Sequence, residues 1–104
     1  MSSDRTVRLD DRLTASSNVH CREFDGELVI LDLESGQYFA LDGAGVRIWE
    51  ALAAGKSLAE VAQDVAGEYD VPESAAATDC LHLAQDLVDR GLLLRREGST
   101  RGDL

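Results

Sequence analysis

With 104 residues and 44% hydrophobic content, the chain has material for one small domain around a single core and too little for two. Ten basic against twenty acidic residues give a formal net charge of -10, which repels phosphate backbones and argues against a nucleic-acid partner. No apolar run approaches the roughly 20 residues that span a bilayer, and Met1 to Asp11 lack an export signal's apolar stretch, so the expectation is a cytoplasmic protein with no membrane contact.

Residues 1 to 17 mix Arg, Asp, Ser and Thr with isolated Val7, Leu9 and Leu13, a pattern without sustained period that predicts a mostly irregular arm. Asn18 to Phe24 alternates, with Val19, Cys21 and Glu23 on one side. It runs into Asp25-Gly26, a dipeptide that accepts the positive φ angles of a tight hairpin. Leu28-Val29-Ile30-Leu31-Asp32-Leu33 reads as a second strand, apolar enough for a central position. After the turn residues Glu34-Ser35-Gly36, Gln37-Tyr38-Phe39-Ala40-Leu41 reads as a third strand, left at the sheet's edge unless another element covers it.

From Asp42 the period changes. Asp42 is the expected N-cap of a first helix that carries Val46, Trp49, Leu52 and Ala53 at three- and four-residue spacing and stops at Gly55. Ser57-Leu58-Ala59-Glu60 is a capping box at the start of a second helix, striped by Leu58, Val61, Ala62, Val65 and Ala66. Pro72 fits the first turn of a third and longest helix, which runs to Arg90 and ends at Gly91. Ala76, Cys80, Leu83, Ala84, Leu87 and Val88 form its apolar face. Leu92-Leu93-Leu94 suggests a short extended piece, and residues 96–104 read as a mobile tail. Three strands followed by three helices make an α+β domain with a winged-helix-like order, a three-stranded antiparallel meander and then a three-helix unit.

Val29-Ile30-Leu31-Asp32, Ser35-Gly36-Gln37-Tyr38-Phe39-Ala40-Leu41-Asp42, Gly45-Val46-Arg47-Ile48-Trp49-Glu50 and Gly55, in that order, resemble the PqqD family over residues 18–95. The likeness continues through Tyr69-Asp70-Val71 and Leu87-Val88-x-x-Gly91-Leu92. The turn Leu33-Glu34-Ser35-Gly36 stands where members dedicated to pyrroloquinoline quinone synthesis carry a Pro-Glu-Gly-like turn, and is closer to members from lasso-peptide pathways. The resemblance implies a precursor-peptide recognition element. Such a domain binds the leader of a ribosomally made precursor as an added strand between the third strand and the third helix. It works without a cofactor and presents the leader to a separate maturation enzyme, a leader peptidase or a radical SAM enzyme.

The residues support that role on their own terms, because an edge strand offers a row of unpaired backbone groups to an extended peptide. Gln37, Tyr38, Phe39, Ala40 and Leu41 would be that edge. The third helix would be the opposite wall, with Leu83 and Leu87 for apolar contact and Asp79, Asp86 and Arg90 to select charge. Of Tyr38 and Phe39, which alternate across the sheet, one should enter the core. Trp49 reads as a core anchor.

Other chemistries find little footing. His20-Cys21 on a strand and Cys80-x-His82 on a helix do not direct both side chains to one point, so no metal site is expected. Cys21 and Cys80 lie far apart and read as reduced thiols, neither of them beside a base that would make it a nucleophile. No phosphate-binding loop or triad suggests an enzyme. Two alternatives stand beside peptide capture. One is a winged-helix DNA-binding regulator, which the acidic third helix opposes. The other is a generic interaction or dimerisation domain using the same edge, with the chain a monomer or weak homodimer.

Overall fold

A computed structural model of the chain describes residues 6–95. The described residues form strands β1 (Leu13–Ala15), β2 (Val19–Phe24), β3 (Glu27–Asp32) and β4 (Tyr38–Asp42), then helices α1 (Ala44–Ala53), α2 (Leu58–Tyr69) and α3 (Glu73–Asp89), then β5 (Leu93–Arg95). The fold is α+β: β2, β3 and β4 make a three-stranded antiparallel sheet in chain order, and the helices follow it. The tail expected over residues 96–104 lies outside the described residues.

The meander follows from its turns. Asp25 and Gly26 both take positive φ, 57° and 78°, which is the requirement of the two-residue hairpin that matches the twist of its strands. Strand alternation then buries Leu28 and Ile30 of β3 against the helices, with Leu41 of β4 beside them. Phe39 is half-buried on the same face, so it is the inward member of the Tyr38/Phe39 pair, and Tyr38 is 72% exposed.

Each helix has a local reason to begin or end. Ser57 and Glu60 make the expected capping box at α2, with Ser57 Oγ accepting from the Glu60 N–H at 3.2 Å and Glu60 accepting from the Ser57 N–H at 2.9 Å. At the end of α3, Leu92 N–H donates to the Leu87 carbonyl and Gly91 N–H to that of Val88, a Schellman closure allowed by Gly91 at φ 78°. α1 departs from expectation. Its N-cap is Gly43, at φ 55°, because Asp42 is held in β4 opposite Glu27 and sheet pairing takes precedence over its capping tendency.

The arm packs on the body and holds one short regular piece. Leu13–Ala15 pairs antiparallel with β5, and Leu13 is 1% exposed. Asp11 and Leu9 carbonyls accept from the N–H groups of Leu58 and Ala59, two first-turn donors of α2 that have no partner inside their own helix. Val7 is buried, and its N–H donates to Gln85 of α3 at 2.8 Å. A ribbon of three residues is too short to show as a period in the sequence, yet it joins both ends of the fold to one core with Trp49, Leu52, Leu58, Val61, Cys80, Ala84, Leu87 and Leu93.

Candidate functional site

The sheet ends at β4, whose outer side bonds to no other strand of the described chain. The arm, which was the obvious candidate to seal it, runs instead across α2 and α3. Which backbone groups face that open side follows from the register. Asp32 N–H donates to the Gln37 carbonyl at 2.8 Å, so the hydrogen-bonded positions of the register are Asp32 with Gln37, Ile30 with Phe39 and Leu28 with Leu41. The intervening residues, Tyr38, Ala40 and Asp42, therefore turn their N–H and C=O groups away from β3. All three are exposed.

The five strand residues expected at the site divide by this rule. Tyr38 and Ala40 carry the open backbone groups, whereas Phe39 and Leu41 spend theirs on β3, and Gln37 accepts from Asp32 N–H through its carbonyl while its own N–H donates to Ser35 Oγ at 3.2 Å. Phe39 contributes its ring instead, and Leu41 is 7% exposed, a core residue. Asp42 was missed as a ladder residue because its capping signal drew it into the helix.

α3 packs on α2 and β5, and one side of it, carrying Asp79, Leu83, Asp86 and Arg90 at three- and four-residue spacing, flanks the core stripe. Leu83 is half-buried against the core and Asp79 is exposed. Leu87 is 0% exposed, which corrects the expectation that it touches a ligand: it lies beneath the surface and holds α3 in place. Arg90 reaches β4. Its guanidinium carbon stands 4.6 Å from the centroid of the Phe39 ring, and its Nε donates to Asp86 Oδ1 at 3.1 Å. Asp86 thus pairs within the chain through Oδ1, and its side chain is still about half exposed. Asp32, Gln37, Tyr38, Phe39, Arg90 and Leu92 line a small recess at this end. Asp32 and Leu92 are lining residues that no sequence signal marked.

The cysteines stand apart from this edge in their chemistry. Burial, with the Asp79 carboxylate adding to it, pushes the Cys80 thiol up to about 11. Burial also raises the Cys21 thiol, partly offset by a hydrogen bond from Trp49. Both are free thiols. Among the described residues no group of three or more His, Cys, Asp or Glu side chains is placed to hold a metal ion, and no helix is long and apolar enough to cross a membrane.

Fold and site together define an α+β domain whose last sheet strand is open beside a long helix. The family model for coenzyme PQQ synthesis protein D (PqqD) matches residues 27–93. The chain belongs to the PqqD family. Among solved structures it is similar to TbiB1 in complex with the TbiA(beta) leader peptide, at 33% identity over 86% of this chain and 99% of that one, with a TM-score of 0.73. It is also similar to lasso peptide synthetase B1 complexed with the leader peptide, at 30% identity over 80% of this chain and 98% of that one, TM-score 0.75. The solution structure of the PqqD truncation of Methylobacterium extorquens PqqCD, a stand-alone RiPP recognition element, shares the fold at 21% identity, covering 88% of this chain and 98% of that one, TM-score 0.73. No curated protein matches the chain.

Proposed function

We propose that the chain binds the leader segment of a ribosomally synthesised precursor peptide and presents it to a separate modifying enzyme. The leader adds as a strand to β4, in the space between β4 and α3. The observation that carries this reading is the open edge: Tyr38, Ala40 and Asp42 offer exposed backbone donors and acceptors that nothing in the described chain uses. Main-chain pairing supplies affinity for any extended segment, and the flanking side chains supply selection.

Family membership and the two leader-bound neighbours at 30% identity or more support the same ligand class. The likeness to lasso peptide synthetase B1 also favours a lasso-type pathway, for which the partner we propose is a leader peptidase rather than a radical SAM maturase. In this reading the protein is not an enzyme, takes no cofactor and works in the cytoplasm as a monomer or weak homodimer. The bond-breaking chemistry belongs to its partner. A winged-helix regulator gains nothing from the site, since α3 exposes Asp79 and Asp89 and pairs Arg90 with Asp86, the wrong sign for a groove reader.

Selection of a randomised peptide library on the immobilised chain tests the reading. Extended peptides should be enriched, and their binding should weaken when Ala40 is replaced by proline. Failure to enrich any peptide, or enrichment indifferent to Ala40→Pro in a folded variant, contradicts it.

A further inference from the structure

Arg90 is held in one place by two different contacts. Its face lies on the Phe39 ring, with 4.6 Å between guanidinium carbon and centroid, and its Nε is bonded to Asp86 at 3.1 Å. Neither contact uses the two terminal nitrogens, and no acceptor among the described residues takes them up. A guanidinium fixed by stacking and through Nε presents a planar pair of N–H groups. That geometry matches the two oxygens of a carboxylate, and little further side-chain freedom is lost on binding.

We propose that Arg90 reads an acidic side chain of the bound peptide and thereby sets the peptide's register along β4. The proposal rests on the strand-addition reading and adds the chemistry that the edge selects. The recess beneath Arg90 is bounded by Asp32, Gln37, Tyr38, Phe39 and Leu92, so Arg90 is its one cation. Asp32, its one carboxylate, accepts from the Glu34 N–H and from the Ser35 hydroxyl, each at 3.0 Å, within the β3–β4 turn. Its charge is thus partly answered before any ligand arrives. Tyr38, whose backbone faces the open side, also borders the recess, which puts the acidic residue beside the first rung of the added ladder. The chain as a whole carries a net charge of -10 and repels a carboxylate away from Arg90, so a peptide shifted along β4 loses its favourable contact and meets unfavourable ones.

The test uses the full chain and peptides selected from a randomised library on it. Wild-type selection should yield Asp or Glu at one fixed position, and changing that residue to Asn or Gln should weaken binding about ten-fold. The same peptide change should have less than about a two-fold effect on Arg90→Gln, and selection on Arg90→Glu should replace the acidic residue by Lys or Arg. Arg90→Lys, which keeps the charge without the fork, should recover only part of the affinity. Peptides that are enriched, depend on Ala40, and show no acidic position linked to Arg90 overturn this inference and leave strand addition standing. If no peptide is enriched, both fall.

Discussion

Replacing Ala40 by proline separates the open side of β4 from its paired side. Ala40 lies between Phe39 and Leu41, whose backbone groups are bonded to Ile30 and Leu28, and its own N–H points away from β3. Removing that N–H takes no hydrogen bond from the free protein, and the residue is exposed, so the folding cost should stay near about 1 kcal/mol or less, from the altered φ preference. In the complex the loss is larger. One ladder bond contributes about 0.5–1.5 kcal/mol, and the peptide carbonyl left without a donor costs about 1–3 kcal/mol more. Since about 1.4 kcal/mol is a factor of ten, Kd should rise at least ten-fold. Phe39→Pro is the contrasting variant, because it removes a donor to Ile30 inside the sheet and should destabilise the fold itself by about 1–3 kcal/mol, the cost of the carbonyl left without its partner. Fluorescence anisotropy with a labelled selected peptide reads binding, and thermal unfolding followed by circular dichroism reads stability. A folded Ala40→Pro variant with wild-type affinity would refute the assignment of β4's open side as the binding edge.

Four further outcomes follow from the fold. Leu13→Ala should cost about 2–5 kcal/mol in a chemical unfolding titration, because Leu13 is 1% exposed in the β1–β5 ribbon; a cost under about 0.5 kcal/mol would return the arm to an irregular role. Ser57→Ala should lose about 1 kcal/mol at neutral pH. Hydrogen bonding to Ser57, chiefly its backbone N–H, holds the Glu60 carboxyl below its ordinary value. The stabilisation it gives is therefore present above the unfolded carboxylate pKa and lost as pH falls through the lower folded value, and Glu60→Gln should flatten that acid-side decline. Iodoacetamide should label exposed Cys21 well before Cys80, which is 0% exposed with a thiol pushed up to about 11; equal labelling rates by mass spectrometry would contradict the packing of α3.

The sequence is most legible where a short-range interaction decides the structure. Asp25-Gly26 forms the hairpin its φ tolerance suggests, Ser57 and Glu60 cap α2, and Gly91 closes α3. Asp42 misleads because a local capping tendency competes there with cross-strand pairing to Glu27, and the pairing prevails. The pairing of Leu13–Ala15 was not legible because its partner, Leu93–Arg95, lies at the other end of the chain, and pairing over that separation leaves no local trace. At the candidate site, α3's apolar face was clear, but helical spacing alone does not tell Leu83, half-buried, from Leu87, fully buried. The i,i+4 spacing of Asp86 and Arg90 could have revealed their pairing. The stacking of Arg90 on Phe39 required the tertiary arrangement.

Amide hydrogen exchange, resolved residue by residue with and without a selected peptide, bears most directly on where an incoming chain docks. The N–H groups of Phe39 and Leu41, already bonded to β3, should be protected in both states, and those of Tyr38, Ala40 and Asp42 should gain protection only when peptide is bound. Protection gained along β2 or on the exposed side of α2, with Tyr38 and Ala40 still exchanging freely, would contradict the account.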